Sequence, residues 1–302
     1  MTNPIRIGTR GSPLALWQAR TVAGLIEQQG RAVEIVTIKT QGDRIQDRPL
    51  SETGGKNLFV KEIEDVLLAG SVDVAVHSAK DMSVAVPDGL GIAAVLPRED
   101  PRDALVCRGG LSQLSPDAAI GTGSIRRITQ MKMRMPHARF KPLRGNVDTR
   151  LRKWRDTKAG GVILAGAGLH RLALLHLPVY PVPPEVMLPA PGQGTLALQV
   201  RAGGMAAPLC QVLDDPDTAR SAEAERRVVA AFGGDCSLPL GAWARPDGGN
   251  GHLRLTALLA TPDGRHFARA EAVGATPQEA ADACVAAMRE NGADEVLERI
   301  RG

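Results

Sequence analysis

The sequence predicts an α/β protein, with two domains of alternating strands and helices and a smaller α+β domain after them. Three observations predict it. Short β-branched runs alternate with helical segments from residue 5 onward, the signature of a parallel or mixed sheet covered on both faces. The alternation then restarts about 110 residues later, and the Ile-Gly-Thr of "IGTRGS" recurs in "IGTGSI". From "DPDTARSAEAERRVVAAF" onward the texture changes to a long helix, a hairpin and another helix. A chain of 302 residues, 43% hydrophobic and 23% charged, is long enough for two or three such cores.

The elements follow in order. "IRIG" is the first strand. Ser12 before Pro13 reads as a helix N-cap with proline in the first turn. Leu16, Ala19, Ala23 and Ile26 then keep helical spacing, and Gly30 can stop the helix. "VEIVTIKT" is a strand, "NLFVKEIEDVLLAG" a helix ending in glycine, and "VDVAVHS" and "LGIAAVL" two further strands. The charged, proline-punctuated "PREDPRDALVC" reads as a crossing between domains. "AIGTGSIRRITQMKMR" repeats strand, turn and helix, and "FKPLRGNVDTRLRKWRD" and "GVILAGAGLHRL" continue that unit. "VMLPAPGQGTLALQVR" turns strand-like and could carry the chain back to the first domain. In the last part, "HLRLTALLATPDGRHFARAEAVG" reads as a hairpin turning at Asp263-Gly264. "TPQEAADACVAAMRENG" is a helix capped by Thr276, started by Pro277, boxed by Glu279 and closed at Asn291-Gly292. The expected domains are 1–97 with 192–213, then 101–190, then 216–302.

Composition excludes several classes. Aromatic residues make up only 3%, which argues against a nucleic-acid binder built on base stacking. No secretory segment opens "MTNPIRIGTR" and no run of about 18 apolar residues occurs, so a cytoplasmic protein without a membrane partner is expected. There disulfides are disfavoured. The four cysteines, Cys107, Cys210, Cys236 and Cys284, show neither C-x-x-C nor zinc spacing, and no metal is expected. The net charge of +4 says little, but 29 arginines stand against 8 lysines. Codon usage can produce that bias. So can a ligand with several carboxylates or phosphates, which the guanidinium fork binds in bidentate fashion.

Position separates the two explanations. Arg10 lies in "TRGS", Arg126 and Arg127 in "GTGSIRR", Arg144 and Arg150 in "LRGNVDTR", and Arg171 in "GLHR". Serine-capped helix starts offer backbone N–H groups to an anion, and guanidiniums added there suit several negative charges at once. Single members of the set could be ordinary salt-bridged surface groups. "GTGSIR" lacks the third glycine of a dinucleotide fingerprint, and no G-x-x-x-x-G-K-[ST] loop occurs. In "VDVAVHSAKDMSV", Lys80 and Asp81 fall just past a strand's C-terminal end, where α/β sheets place ligands. A carboxylate there can accept a proton or stabilise a cation, although an Asp–Lys surface loop would read the same way. Cys107, Cys210 and Cys284 sit in apolar stretches as small core residues. Cys236, in the glycine-flanked turn "AFGGDCSLPLGAW", is a surface thiol, a nucleophile still needing a histidine base, or an anchor for a covalent group.

Taken together, "TRGSPLALWQA", "GGKNLFVKEIE", "DVAVHSAKD", "REDPRDA", "GTGSIRR", "LRGNVDTRL", "LPAPGQG" and the cysteine turn resemble the porphobilinogen deaminase family over essentially the whole chain. The resemblance implies two α/β domains like those of periplasmic binding proteins, with mixed sheets, and a third domain carrying the cysteine. It implies an enzyme of tetrapyrrole biosynthesis that joins four porphobilinogen molecules into linear hydroxymethylbilane. The primer is a dipyrromethane held by a thioether, and Cys236 is its implied anchor. Asp81 is the implied catalytic residue, protonating the leaving amine of porphobilinogen and steadying the azafulvenium cation that remains. Cofactor binding carries over to Arg10, Ser12, Lys80, Asp81, Ser124, Arg126, Arg127, Arg144 and Gly145. Substrate binding carries over to Arg10, Arg144, Arg150, Arg171 and Gln193, with Lys56 and Phe59 in a covering loop. The small molecule is the only implied partner, and a monomer is expected.

Three departures stand out. Asp235 replaces a glycine directly before the cysteine, adding a negative charge that disfavours the thiolate and could slow cofactor loading. "TGS" replaces the commoner "TSS", and Glu52 stands where a basic residue is frequent. The rival reading is a non-catalytic two-lobe module that binds or senses an anionic solute. It explains the arginines but gives no use for Asp81 or Cys236. A thiol-dependent hydrolase would need a histidine partner that the sequence does not indicate.

Overall fold

The structure, a computed structural model, describes residues 3–40, 60–115, 117–157, 159–233 and 238–302. The chain forms β1 (Ile5–Arg10), α1 (Pro13–Glu27), β2 (Val33–Ile38), α2 (Lys61–Leu68), β3 (Val74–Ser78) and β4 (Leu90–Val95). It continues through β5 (Asp103–Cys107), β6 (Ala119–Gly121), α3 (Ile125–Arg134), β7 (Arg139–Lys141), α4 (Val147–Asp156), β8 (Gly161–Ala165), α5 (Gly166–Arg171) and β9 (Val179–Pro181). Then come β10 (Leu196–Arg201), α6 (Ala207–Gln211), α7 (Pro216–Ala231), β11 (Leu240–Asp247), β12 (His252–Ala260), β13 (Phe267–Gly274), α8 (Pro277–Glu290) and α9 (Ala293–Arg301).

Two compact units result, 1–99 with 195–219, and 100–194 with 220–302. The first holds a five-stranded mixed sheet in the order β2-β1-β3-β10-β4. β1 runs parallel to β2 and β3, whereas β10 is antiparallel to both β3 and β4. Helix α1 buries Ala19, Val22, Ala23 and Ile26 against Ile5, Ile7, Val74, Val76, Leu196, Leu198 and Val200 on one face. On the other face α2 buries Ile63 and Leu67 against Val72 and Ala75. Alternate residues of β3 therefore face opposite helical layers, as the two-residue period of a strand requires. Ser12 caps α1 as expected, its hydroxyl accepting the Ala15 N–H at 3.2 Å. Gly30 follows the helix at φ +78°, a left-handed turn that a side chain would strain.

The second unit repeats this plan in the order β7-β6-β8-β5-β9. β6 is parallel to β7 and β8, and β5 is antiparallel to β8 and β9. The two "IGT" segments thus end strands in equivalent second places. Met131 of α3 packs on one face with Leu105, Ile120 and Ile163, while Leu151 of α4 and Leu169 of α5 cover the other. "PREDPRDALVC" contains more order than expected. Its last five residues are β5, wholly buried, so the crossing ends at Arg102.

The same unit includes the small antiparallel sheet β11-β12-β13. β12 and β13 form the expected hairpin, with Gly264 at φ +74°. Helix α8 lies over the sheet with Ala280, Ala281, Cys284 and Met288 buried. Thr276 caps it by accepting the Glu279 N–H at 3.1 Å. The return bond of the expected capping box is displaced by one residue, because Glu279 accepts from the Ala275 N–H instead of Thr276. The fold is therefore α/β with mixed sheets and a small α+β C-terminal part. No helix among the described residues is long and apolar enough to cross a membrane.

Candidate active site

In the first unit, the candidate residues gather at the C-terminal ends of β1 and β3, the edge where sheets of this kind bind ligands. Arg10 ends β1, and Ser12 begins α1 two residues on. Ser78 ends β3, and a single 3-10 turn over Ala79–Asp81 follows, which brings Lys80 and Asp81 up at the sheet edge. Arg10 and Asp81 line one pocket with Thr9, Gln18, His77 and Ser78. Gln18 donates to the Ser78 hydroxyl at 3.1 Å, so α1 and β3 are tied together at the pocket wall. One guanidinium and one carboxylate face a common space whose other walls are neutral polar groups and the apolar Ala15, Val60, Ile63 and Val76.

The second unit presents a different arrangement. Arg126 and Arg127, on the first turn of α3, are only 4% and 5% exposed, and both turn onto Asp103, which has no exposed surface. Arg126 reaches Asp103 Oδ2 and the Leu188 carbonyl, each at 2.7 Å. Arg127 donates through Nε to Oδ1 at 2.9 Å and through Nη1 to the Ile163 carbonyl at 2.9 Å. Gln193, also buried, donates to Asp103 Oδ1 at 3.0 Å and to the Pro101 carbonyl at 2.7 Å. Burial alone would raise the Asp103 pKa. The two guanidinium charges and the hydrogen bonds outweigh it and hold the carboxyl well below the usual range. The carboxylate and both guanidiniums lie in nearly dry surroundings.

Sequence reasoning named Arg126, Arg127 and Gln193 but not the aspartate that joins them. The available signal was an acidic residue opening the otherwise apolar strand "DALVC". Around the start of α4, Arg150 donates to the Gly145 carbonyl at 2.7 Å, and Lys153 to the Arg144 carbonyl at 3.1 Å. Gly145 has φ +108°, and a Cβ there would press on Thr149, so this turn requires glycine. Ser124 precedes α3 without a side-chain bond to its own helix. Arg171 reaches the Gly194 carbonyl at 2.6 Å. Cys236, Lys56 and Phe59 lie outside the described residues, as do Asp235 and Glu52. Cys107, Cys210 and Cys284 are buried, and burial pushes the Cys210 and Cys284 thiols up to about 12.

Comparison with known proteins decides the family. "Porphobilinogen deaminase, dipyromethane cofactor binding domain" matches residues 5–207, and "Porphobilinogen deaminase, C-terminal domain" matches residues 219–291. The chain belongs to the porphobilinogen deaminase family. The porphobilinogen deaminase of Acidithiobacillus ferrooxidans is 45% identical over 100% of this chain and 99% of its own length. That of Bordetella parapertussis is 44% identical over 97% and 95%, and that of Paracoccus denitrificans 46% over 92% and 91%. Among solved structures, the GluR0 ligand-binding core is 10% identical with a TM-score of 0.40, covering 70% of this chain and 90% of that one, too loose a likeness to bear on the site.

Membership makes the chain a transferase of tetrapyrrole synthesis that uses a dipyrromethane cofactor, and disfavours the solute-sensing alternative. The residues present suit that group. Each of its two rings bears an acetate and a propionate. Guanidinium groups such as Arg10 at the end of β1 and Arg126 and Arg127 on the first turn of α3 are the side chains that bind such carboxylates.

Proposed function

We propose that the chain condenses four porphobilinogen molecules into hydroxymethylbilane with Asp81 as the catalytic acid and Cys236 as the cofactor anchor. The observation that carries this reading is the pocket shared by Asp81 and Arg10 at the strand ends, in a chain of this family. Dipyrromethane, when bound, supplies the primer whose free pyrrole α-carbon attacks. Asp81 gives a proton to the aminomethyl nitrogen of porphobilinogen, the C–N bond breaks with its electrons going to nitrogen, and ammonia leaves. The resulting Asp81 carboxylate then faces the positive charge spread over the pyrrole and its methylene, and stabilises it until the new C–C bond forms. The proton displaced from the attacking pyrrole α-carbon can return to the same carboxylate, readying it for the next cycle.

The arginines and lysines take the ring carboxylates, with hydroxyl, amide, backbone and ring neighbours completing the binding set. Arg10, Ser12, Lys80, Asp81, Ser124, Arg126, Arg127, Arg144 and Gly145 bind the cofactor held on Cys236. Arg10, Arg144, Arg150, Arg171, Gln193, Lys56 and Phe59 bind substrate. In this reading 216–302 acts as a third domain presenting Cys236, and the protein works as a cytoplasmic monomer without a nucleic-acid or membrane partner. Family membership and the arginine-rich turns support it.

Intact mass tests the anchor. The purified protein should weigh more than its residues by one dipyrromethane, and Cys236→Ser should weigh the bare chain. Asp81→Ala should keep both the fold and the adduct while turnover falls by at least about a hundredfold, the scale of a lost general acid. Near-normal product formation by that variant removes Asp81 from the mechanism.

A further inference from the structure

Behind the Asp81 pocket lies a chain of three polar side chains that the reaction as described does not use. His77 sits in β3 directly opposite Ala197 of β10. Gln199, two residues along β10, points to the same face and meets His77 diagonally across the ladder. The His77 Nε2 to Gln199 Oε1 distance is 3.0 Å, and both residues are buried. Gln199 in turn donates through Nε2 to Glu64 Oε1 of α2 at 2.8 Å. Burial raises the Glu64 pKa, against the Gln199 bond that favours its charged form. As a carboxylate Glu64 can only accept, so the Gln199 amide presents its NH₂ to Glu64 and its oxygen to the ring. An amide oxygen also only accepts, so His77 must carry its proton on Nε2.

We propose that Glu64, Gln199 and His77 form a positioning device for Asp81, fixing His77 as the Nε2–H tautomer in the wall of the catalytic pocket. This rests on the reading of Asp81 as the catalytic acid. His77 lines the same pocket as Asp81, and its ring feels the Asp81 charge. The charged groups around the ring are Arg10 from β1, Asp81 beyond β3 and Glu64 from α2, with Thr9, Gln18 and Ser78 as neutral polar neighbours. Burial pushes the His77 pKa down to about 4, so the ring stays neutral at ordinary working pH despite the Gln199 bond and Asp81. A protonated ring would place a second cation beside Asp81 and compete with the substrate's developing positive charge. A neutral ring locked by Gln199 leaves that carboxylate to the substrate.

Two measurements on the cofactor-loaded protein test the device. Ring ¹⁵N shifts of His77 should report the Nε2–H tautomer with no titration between about pH 5.5 and 9. Gln199→Leu should release that tautomer preference. An Nδ1–H ring, or one titrating near its ordinary 6.5, overturns the proposal whatever Asp81 does. In kinetics, His77→Leu should lower kcat roughly tenfold, about one hydrogen bond's worth of orientation, with KM little changed. His77→Gln restores a donor toward Gln199 without a titratable group, and should recover kcat to within a few-fold on an unshifted pH profile. Wild-type kcat in His77→Leu would overturn the device. So would a His77→Gln protein that is folded and loaded but as slow as His77→Leu, since the imidazole would then act in its own right. Normal turnover by Asp81→Ala alongside the expected ring spectrum would instead sink the catalytic assignment and leave the tautomer lock standing.

Discussion

Asp103 is a fully buried carboxylate whose two guanidinium partners are themselves almost fully buried. Removing its charge strands two cations in a dry environment. Asp103→Asn should therefore cost about 3–5 kcal/mol in chemical denaturation. The pH dependence has a defined sign. The folded Asp103 pKa lies below the unfolded one, so its contribution is complete above the unfolded value of about 3.9 and is lost as pH falls below that. His77 acts earlier. Its folded pKa of about 4 lies below the ordinary 6.5, so the unfolded chain takes up a proton first as pH falls from 6.5 toward 4. That window should remove a few kcal/mol of stability in the wild type. Urea melts at pH 7 and pH 4.5 should differ less in His77→Gln than in wild type, and an equal difference would show that the ring does not govern this range.

At the scale of elements, the approach of β13 to α8 is where, among the described residues, a glycine comes closest to the backbone of another element. Gly274 ends β13, and a Cβ there would run into the backbone nitrogen of Ala280, in the first turn of α8. Backbone cannot swing aside as a long side chain can, so Gly274→Ala should destabilise by about 1–3 kcal/mol through overpacking. Its thermal unfolding should shift downward relative to a control at Gly249, where no heavy atom lies within 4 Å, after allowing for the strain at that residue's φ of +73°. The local grammar of these elements was legible beforehand. Ser12 and Thr276 were recognisable as caps because each is a short hydroxyl residue before Pro and a helical pattern, and both hydroxyls accept the expected N–H. The one-residue displacement of the Glu279 bond was not, since a flexible side chain can reach either of two neighbouring N–H groups.

At the scale of the whole molecule, the two five-stranded sheets share one plan but obtain their antiparallel strand differently. In the first sheet β10 arrives from residues 196–201 and sits between β3 and β4, whereas in the second β5 is the first strand the chain lays down. A fragment ending at residue 99 leaves β3 and β4 without their shared neighbour and exposes the apolar residues that β10 covers. It should lack a cooperative thermal transition by circular dichroism, because a central strand is missing from its ladder. A sharp transition in that fragment would show that β10 is dispensable to the sheet.

The sequence by itself determined the alternation of strands and helices, their caps and turns, the family, and the chemistry of a carboxylate at a strand end among many arginines. These are properties of residue type and short spacing, and short spacing is what periodicity and capping rules read. Tertiary structure alone decided which side chains meet. "DALVC" shows an aspartate at a strand start, but nothing local to it says that Arg126, Arg127 and Gln193 will close around it. "VAVHS" and "LALQVR" each set a polar residue, His77 and Gln199, among apolar neighbours, about 120 residues apart. Their pairing exists only because β10 docks antiparallel on β3 in a register that sets Ala197 opposite His77. Register is fixed by the packing of whole faces, and a slip of one residue would turn Gln199 to the other side of the sheet.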